Sequence, residues 1–239
     1  QNDLDALGRW SEKWLMIFRP DKCKLLSFTR SHSPTDFQYT LNNVNIQATD
    51  THKYLGVHLS SDTKFNAHID KIYHKANQKL GFLRRNLHSC TREIKHVAYD
   101  SLVRPGMEYC AGVWDPRNKT CKNKLESINT KAARFITNNH SREEGTTSQI
   151  KSQINMDLLS MRRKSQRLTI MYKIANNHIK LNKDGILTPA SNKYKYNLRK
   201  QHSVKYITLG GSTKIYNKSY FPRTIHDWNS LPQETIDCK

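Results

Sequence analysis

The side chains able to do chemistry in this chain are mostly cations set at helical spacing. Lys71, Lys75 and Lys79 stand four apart within Asn66–Trp114, a stretch that reads as a basic helical hairpin, and Arg84-Arg85 extend the charge. Arg162, Arg163, Lys164, Arg167 and Lys173 form a second basic cluster. Such rows neutralise phosphates and release counterions whatever the base sequence. A solvated helix face is the plainer use of a charge row, but little glutamate compensates these. Lys and Arg number 40 against 20 acidic residues, a formal net charge of +20. That excess repels itself in a compact fold unless a polyanion screens it, and nucleic acid is expected ahead of an anionic membrane surface. Lys193–His202 interleaves tyrosines with Lys and Arg, a pattern that suits stacking on bases or an ordinary surface loop.

Self-sufficient catalysis is not visible. The sequence holds no phosphate-cradling G-x-x-x-x-G-K-[ST] or G-x-G-x-x-G run, no H-E-x-x-H and no G-x-S-x-G. No two aspartates are adjacent, and Asp62, Asp70, Asp100 and Asp115 stand alone, whereas two-metal phosphoryl transfer needs converging carboxylates. No metal ligand set is assigned. Cys23, Cys90, Cys110, Cys121 and Cys238 are odd in number and include no C-x-x-C pair, so they read as reduced thiols in an intracellular protein. No stretch is apolar enough to span a bilayer and no secretory signal opens the chain, so no membrane partner is expected.

The elements that must position these residues follow from periodicity. Asn2 or Asp3 caps a first helix with Leu4, Leu7, Trp14 and Phe18 on one face and Pro20 at its exit. Cys23–Thr29 suits a buried strand, Phe37–Ala48 a β-hairpin turning at Asn42-Asn43, and Lys53–Leu59 a further strand with Gly56 open to a neighbouring backbone. Ile69, Ile72, Tyr73, Ala76, Leu80, Leu83 and Leu87 stripe the first hairpin helix. Thr91 caps the second, whose stripe is Ile94, Val97, Ala98, Leu102 and Val103, and Pro105-Gly106 should break or kink it. Helices follow near 122–138, 150–156 and 157–177, then a small hairpin at Tyr206–Tyr216 around Gly210-Gly211 and a last helix opened by Pro222 and ended by Pro232. The class is α+β: a small antiparallel sheet, then mainly helices, then a mixed extension.

These residues carry a family resemblance. Trp10 to Arg30, W-x-x-x-W-x-M-x-F-x-P-x-K-C-x-x-L-x-F-T-R, resembles the region after the active-site aspartates of non-LTR (LINE, jockey-like) retrotransposon reverse transcriptases. Lys53-Tyr54-Leu55-Gly56-Val57 resembles their primer-grip strand. Leu80–Arg85, Leu102–Pro105, Val113–Pro116, Ala132–Phe135, Phe221–Ile225 and Trp228–Pro232 continue the likeness in the same order over nearly the whole chain.

The resemblance implies that 1–60 end the polymerase palm, 61–140 form a helical thumb and 141–239 a basic C-terminal extension. It implies that the aspartate pair, and the Mg²⁺ it holds in the full-length parent, lie upstream of Gln1 with the rest of the palm and fingers. This chain alone is then a fragment expected to show no polymerase activity and to hold no cofactor. Lys22 takes the position of a lysine suggested to donate a proton to the pyrophosphate leaving group, although Arg19 stands where the family often has Asn. Tyr54, Leu55 and Gly56 would line the primer grip. The partners implied are an RNA template and a DNA primer, paired as an RNA/DNA hybrid, in the nucleus and cytoplasm. A stand-alone basic RNA- or DNA-binding module, or a non-functional retroelement relic, is the alternative.

Overall fold

The computed structural model describes residues 1–29, 31, 33, 37–141, 143–190 and 204–237. The tyrosine-interleaved segment 193–202 lies outside them. The chain divides into two compact units, Gln1–Lys71 and Ile72–Lys239. The architecture is mixed α+β with a helical majority, and among the described residues the strands form three two-stranded sheets, one of them parallel, rather than a single small antiparallel sheet.

In the first unit, α1 (Asn2–Lys13) buries its small residues, not its large ones. Gly8 and Ser11 are the buried positions. A Cβ on Gly8 would sit 2.7 Å from the Asn42 side chain, so glycine permits the close approach of the turn that follows. The Gln1 side-chain amide donates to the Thr40 carbonyl at 2.9 Å and accepts from its N–H at 3.0 Å, tying the helix to the same turn. The expected apolar face is not the packed one. Leu7, Trp10 and Trp14 are exposed, and the helix ends before Trp14, with Leu15 at positive φ.

A 3₁₀ turn (Pro20–Lys22) leads into β1 (Lys24–Leu25), which pairs in parallel with β4 (Gln47–Ala48). The strand expected over Cys23–Thr29 is thus two residues long, and Phe28 is exposed. β2 (Thr40–Leu41) and β3 (Val44–Asn45) form the expected hairpin, turning through Asn42 and Asn43 at φ 51° and 61°. Asparagine tolerates that left-handed pair, which matches the twist of the flanking strands. Lys53–Leu59 is a second hairpin rather than one strand. β5 (Thr51–Tyr54) pairs with β6 (Val57–Ser60) across Leu55 and Gly56, at φ 44° and 86°. Gly56 is therefore a turn residue, not an opening on a sheet face.

The second unit takes in most of α2 (Asn66–Asn86) and everything after it. Ala76, Leu80 and Leu83 of α2 are buried as their spacing requires. The next helix is α3 (Arg92–Ala98), a π turn over Tyr99–Val103, and α4 (Arg104–Glu108). Pro105 lacks an N–H and its ring would strike the carbonyl four residues back; widening the preceding turn relieves both, so the chain stays helical. The expected stripe holds at Val103, which is buried, and fails at Ile94, Val97 and Leu102, which are exposed; Lys95, Tyr99 and Met107 face the core with Val103 instead. Lys95 is accommodated because its Nζ donates to Asn138 Oδ1 at 2.8 Å and lies 5.3 Å from the Phe135 ring centroid.

Beyond α5 (Ala111–Trp114), α6 (Lys119–Thr137) is capped by the Asn118 carboxamide, which accepts from the Cys121 N–H. Leu125, Ile128, Ala132, Phe135 and Ile136 are all buried, as expected. Helices α7 (Thr146–Gln153) and α8 (Leu159–Ala175) follow. The Glu126 carboxylate accepts from Lys151 Nζ at 2.6 Å and from the Leu159 N–H at 3.0 Å, anchoring the start of α8. The expected hairpin over Tyr206–Tyr216 is absent; one antiparallel bridge, Pro189 with Tyr206, precedes α9 (Lys214–Asn217). α10 (Tyr220–Asn229) then seats Ile225 and Trp228 against Met171, Ile174 and Leu187, and α11 (Gln233–Asp237) follows Pro232. The described cysteines, Cys23, Cys90, Cys110 and Cys121, are free thiols, and no helix among the described residues is long and apolar enough to cross a membrane.

Candidate nucleic-acid interface

Helix α2 does not carry one basic face. At 3.6 residues per turn, Lys71, Lys75 and Lys79 climb one flank of the buried stripe. Arg84 lies two and a half turns from Lys75 and points the opposite way. That second flank also carries Tyr73 and Asn77, and α6 supplies two lysines to it. Lys124 Nζ lies 5.0 Å and Lys131 Nζ 5.7 Å from the Tyr73 ring centroid, and Lys131 Nζ donates to Asn77 Oδ1 at 3.2 Å. Lys124 and Lys131 are seven apart, hence on one side of α6, a spacing visible in the sequence but outside the site that the sequence suggests.

The α2 cations differ in freedom. Lys75, Arg84 and Arg85 are exposed, and among the described residues no carboxylate pairs with them. Lys79 is half-buried and donates to the Leu102 carbonyl at 2.7 Å, so it also ties α2 to the π turn. Lys71, in the first unit, sits 3.2 Å from His58 Nδ1. His68 accepts from the His58 N–H at 3.2 Å, and burial, then His58 and Lys71, push its pKa down to about 4.

The second basic cluster has another fate. Arg163 and Arg167 are buried. Arg163 Nε donates to Asp115 Oδ1 at 2.8 Å, Arg167 donates to the other oxygen of Asp115, and Arg223 Nη2 lies 2.7 Å from that same oxygen. Arg167 Nη2 also reaches Asp227 Oδ2 at 2.7 Å, and Lys164 Nζ lies 3.2 Å from Asp227 Oδ1. Arg162 forks onto Glu108, with Nη2 at 3.2 Å from Oε2 and Nε on Oε1. Glu108 hydrogen bonding is the main cause that raises the Arg162 pKa. Arg163 and Arg167, 0% and 2% exposed, are therefore not the surface phosphate contacts expected of them. Arg223, which burial pushes below its ordinary pKa, belongs to this cluster too, and its distance along the chain hid that from the sequence.

In the first unit, Lys22 closes the 3₁₀ turn with its side chain in solvent. Tyr54 and Leu55 are 61% and 72% exposed at the tip of the β5–β6 hairpin, beside Gly56. Among the described residues no group of three His, Cys, Asp or Glu side chains could hold a metal ion. A two-metal centre therefore does not fit the residues described.

No family model matches the chain, and no solved structure matches it. Curated proteins do. The chain is 28% identical over 139 residues, 57% of its length, to the RNA-directed DNA polymerase from mobile element jockey of Drosophila funebris. It is 26% identical over 151 residues, 62% of its length, to the probable RNA-directed DNA polymerase from transposon BS of Drosophila melanogaster, and 26% identical over 139 residues to that species' jockey polymerase. The resemblance to jockey-like reverse transcriptases is borne out. The matches span 15–17% of the length of these relatives.

Proposed function

We propose that this chain is the template–primer-gripping part of an RNA-directed DNA polymerase of a non-LTR retroelement, acting as a thumb. The observation that carries this reading is the exposed, carboxylate-free set Lys75, Arg84 and Arg85, joined across α6 by Lys131 beside Tyr73, in a chain similar to jockey-like polymerases. Such a surface tracks a sugar–phosphate backbone without reading bases. On this reading the hairpin tip Tyr54-Leu55-Gly56 touches the primer, and Lys22 faces the departing pyrophosphate once the aspartates and Mg²⁺ of the upstream palm are supplied. The exposed Leu7, Trp10 and Trp14 fit a unit that packs on further polymerase structure.

The test is binding of the purified chain to an RNA/DNA hybrid and to a plain DNA duplex across a salt series. The reading expects preference for the hybrid, lost on charge reversal of Lys75, Arg84 and Lys131. Equal binding to both duplexes would leave a general nucleic-acid-binding module, and incorporation of labelled nucleotide by this chain alone would refute a purely gripping role.

A further inference from the structure

Beside the buried arginines lies a cleft of about 650 Å³, walled by α8, α10 and residues 208–218. Its lining is lopsided in charge. Lys122, Lys164, Arg167, Lys218, Arg223 and His226 face one carboxylate, Asp227. Asp115 takes Arg167 and Arg223 from this set but is also occupied by Arg163. Neither Lys122 nor Lys218 makes an ion pair among the described residues; Asp115 attracts Lys122, but burial and the neighbouring arginines outweigh it. The polar inventory is short as well: Arg167, which lines the cleft and is 2% exposed, has an Nε without a hydrogen-bond partner among the described residues. Buried donors left unpaired and cations crowded past their counter-charges are each costly. Crowding is felt at Lys122, whose ammonium is pushed below its usual pKa by burial and then by Arg223.

We propose that this cleft is a phosphate-binding subsite, with Lys122, Lys164, Lys218, Arg223 and His226 supplying its donors. A phosphate brings nearly two negative charges and oxygens that accept from several directions at once, which converging Lys and Arg side chains match better than one more carboxylate would. The volume exceeds what a bare phosphate fills and lies in the range of sites for larger ligands, so the group arrives on a bigger molecule: a free nucleotide or a polynucleotide strand. The subsite does not depend on the polymerase reading.

The experiment is thermal melting of the whole chain in millimolar sodium phosphate, against sodium chloride at matched ionic strength. Wild type should gain roughly 3 °C, and the Lys122→Gln/Lys218→Gln variant, which disturbs none of the ion pairs, should lose at least half of that gain. Lys218→Gln alone, at an exposed side chain, serves if the double variant does not melt cooperatively, and should lose part of it. No gain over chloride, or an equal gain in the variants, overturns the proposal. Adenosine monophosphate and a short 5′-phosphorylated RNA then separate the sources. Stabilisation by both, weakened in the variant, supports the subsite and assigns the phosphate to a strand; stabilisation by the mononucleotide alone supports it as a nucleotide site. If the chain fails to bind the RNA/DNA hybrid while phosphate still stabilises, the gripping role falls and the subsite stands. If hybrid binding is intact and phosphate has no effect, only the subsite falls.

Discussion

The outer side of α2 with α6, and the inner side of α8 with α10, look alike as strings of Lys and Arg and end in opposite conditions. Lys75, Arg84 and Arg85 meet solvent. Arg163 and Arg167 meet Asp115 and Asp227 inside the protein. The difference teaches that a run of cations specifies a helix face but not its neighbour. What separates a binding surface from an internal brace is a carboxylate brought in from far along the chain, and the scarcity of acids here leaves some rows without one.

The hardest way to break that contrast is to remove the brace. Asp115→Asn leaves Arg163, Arg167 and Arg223 without their shared charge, and unfolding by urea should show a loss of about 3–5 kcal/mol. A loss under about 1 kcal/mol would mean the inner cluster is as dispensable as a surface pair.

Acid should act next most strongly, on the first unit. His68 has its folded pKa lowered from 6.5 to about 4, so the unfolded chain binds the proton more readily. Its contribution is fully present above pH 6.5 and is lost as the pH falls toward 4, with a ceiling of about 3 kcal/mol or slightly more. His68→Gln should flatten that part of a stability–pH curve measured by chemical denaturation. An unchanged slope in the variant would show that His68 is not the group responsible.

Lys95 is a third fate for a cation: buried, with an amide and a ring for company. Lys95→Met keeps the stem's packing and removes the charge, so stability should change by less than about 1 kcal/mol, with a gain as acceptable as a loss. A loss of several kcal/mol would make this lysine a brace like the arginines.

The smallest change in stability belongs to the open face. Charge reversal of Lys75, Arg84 and Lys131 should leave the melt within about 0.5 kcal/mol of wild type. It should nevertheless lower the slope of log affinity against log salt by about 0.7–0.9 for each phosphate that is no longer neutralised. An unaltered slope would move the interface elsewhere.

Helices α2, α6 and α10 were legible because each places its apolar residues on a single stripe and their partners accept that stripe. The α3–α4 region was not. Ile94 and Val97 obey a helical period as well as Lys95 and Tyr99 do, and only the position of Asn138 and Phe135 decides which face turns inward. Lys53–Leu59 hid its turn for a related reason: Leu55, Val57 and Leu59 keep an alternation that one strand and a tight hairpin share. The Asn42-Asn43 turn was plain because asparagine announces positive φ, and leucine at position 55 does not. In the site, the nine-residue spacing of Lys75 and Arg84 already puts them on opposite flanks of a helix, but the different neighbours each flank meets were not readable.

The sequence by itself determined the charge excess, the long amphipathic helices, the asparagine hairpin and the likeness to jockey-like polymerases, since each rests on composition, on local period or on order along the chain. Tertiary structure alone decided which cations are free. Asp115, Arg163, Arg167 and Arg223 meet across long stretches of chain, and pairing at such a distance follows from how helices stack, a property that no local pattern of residues contains.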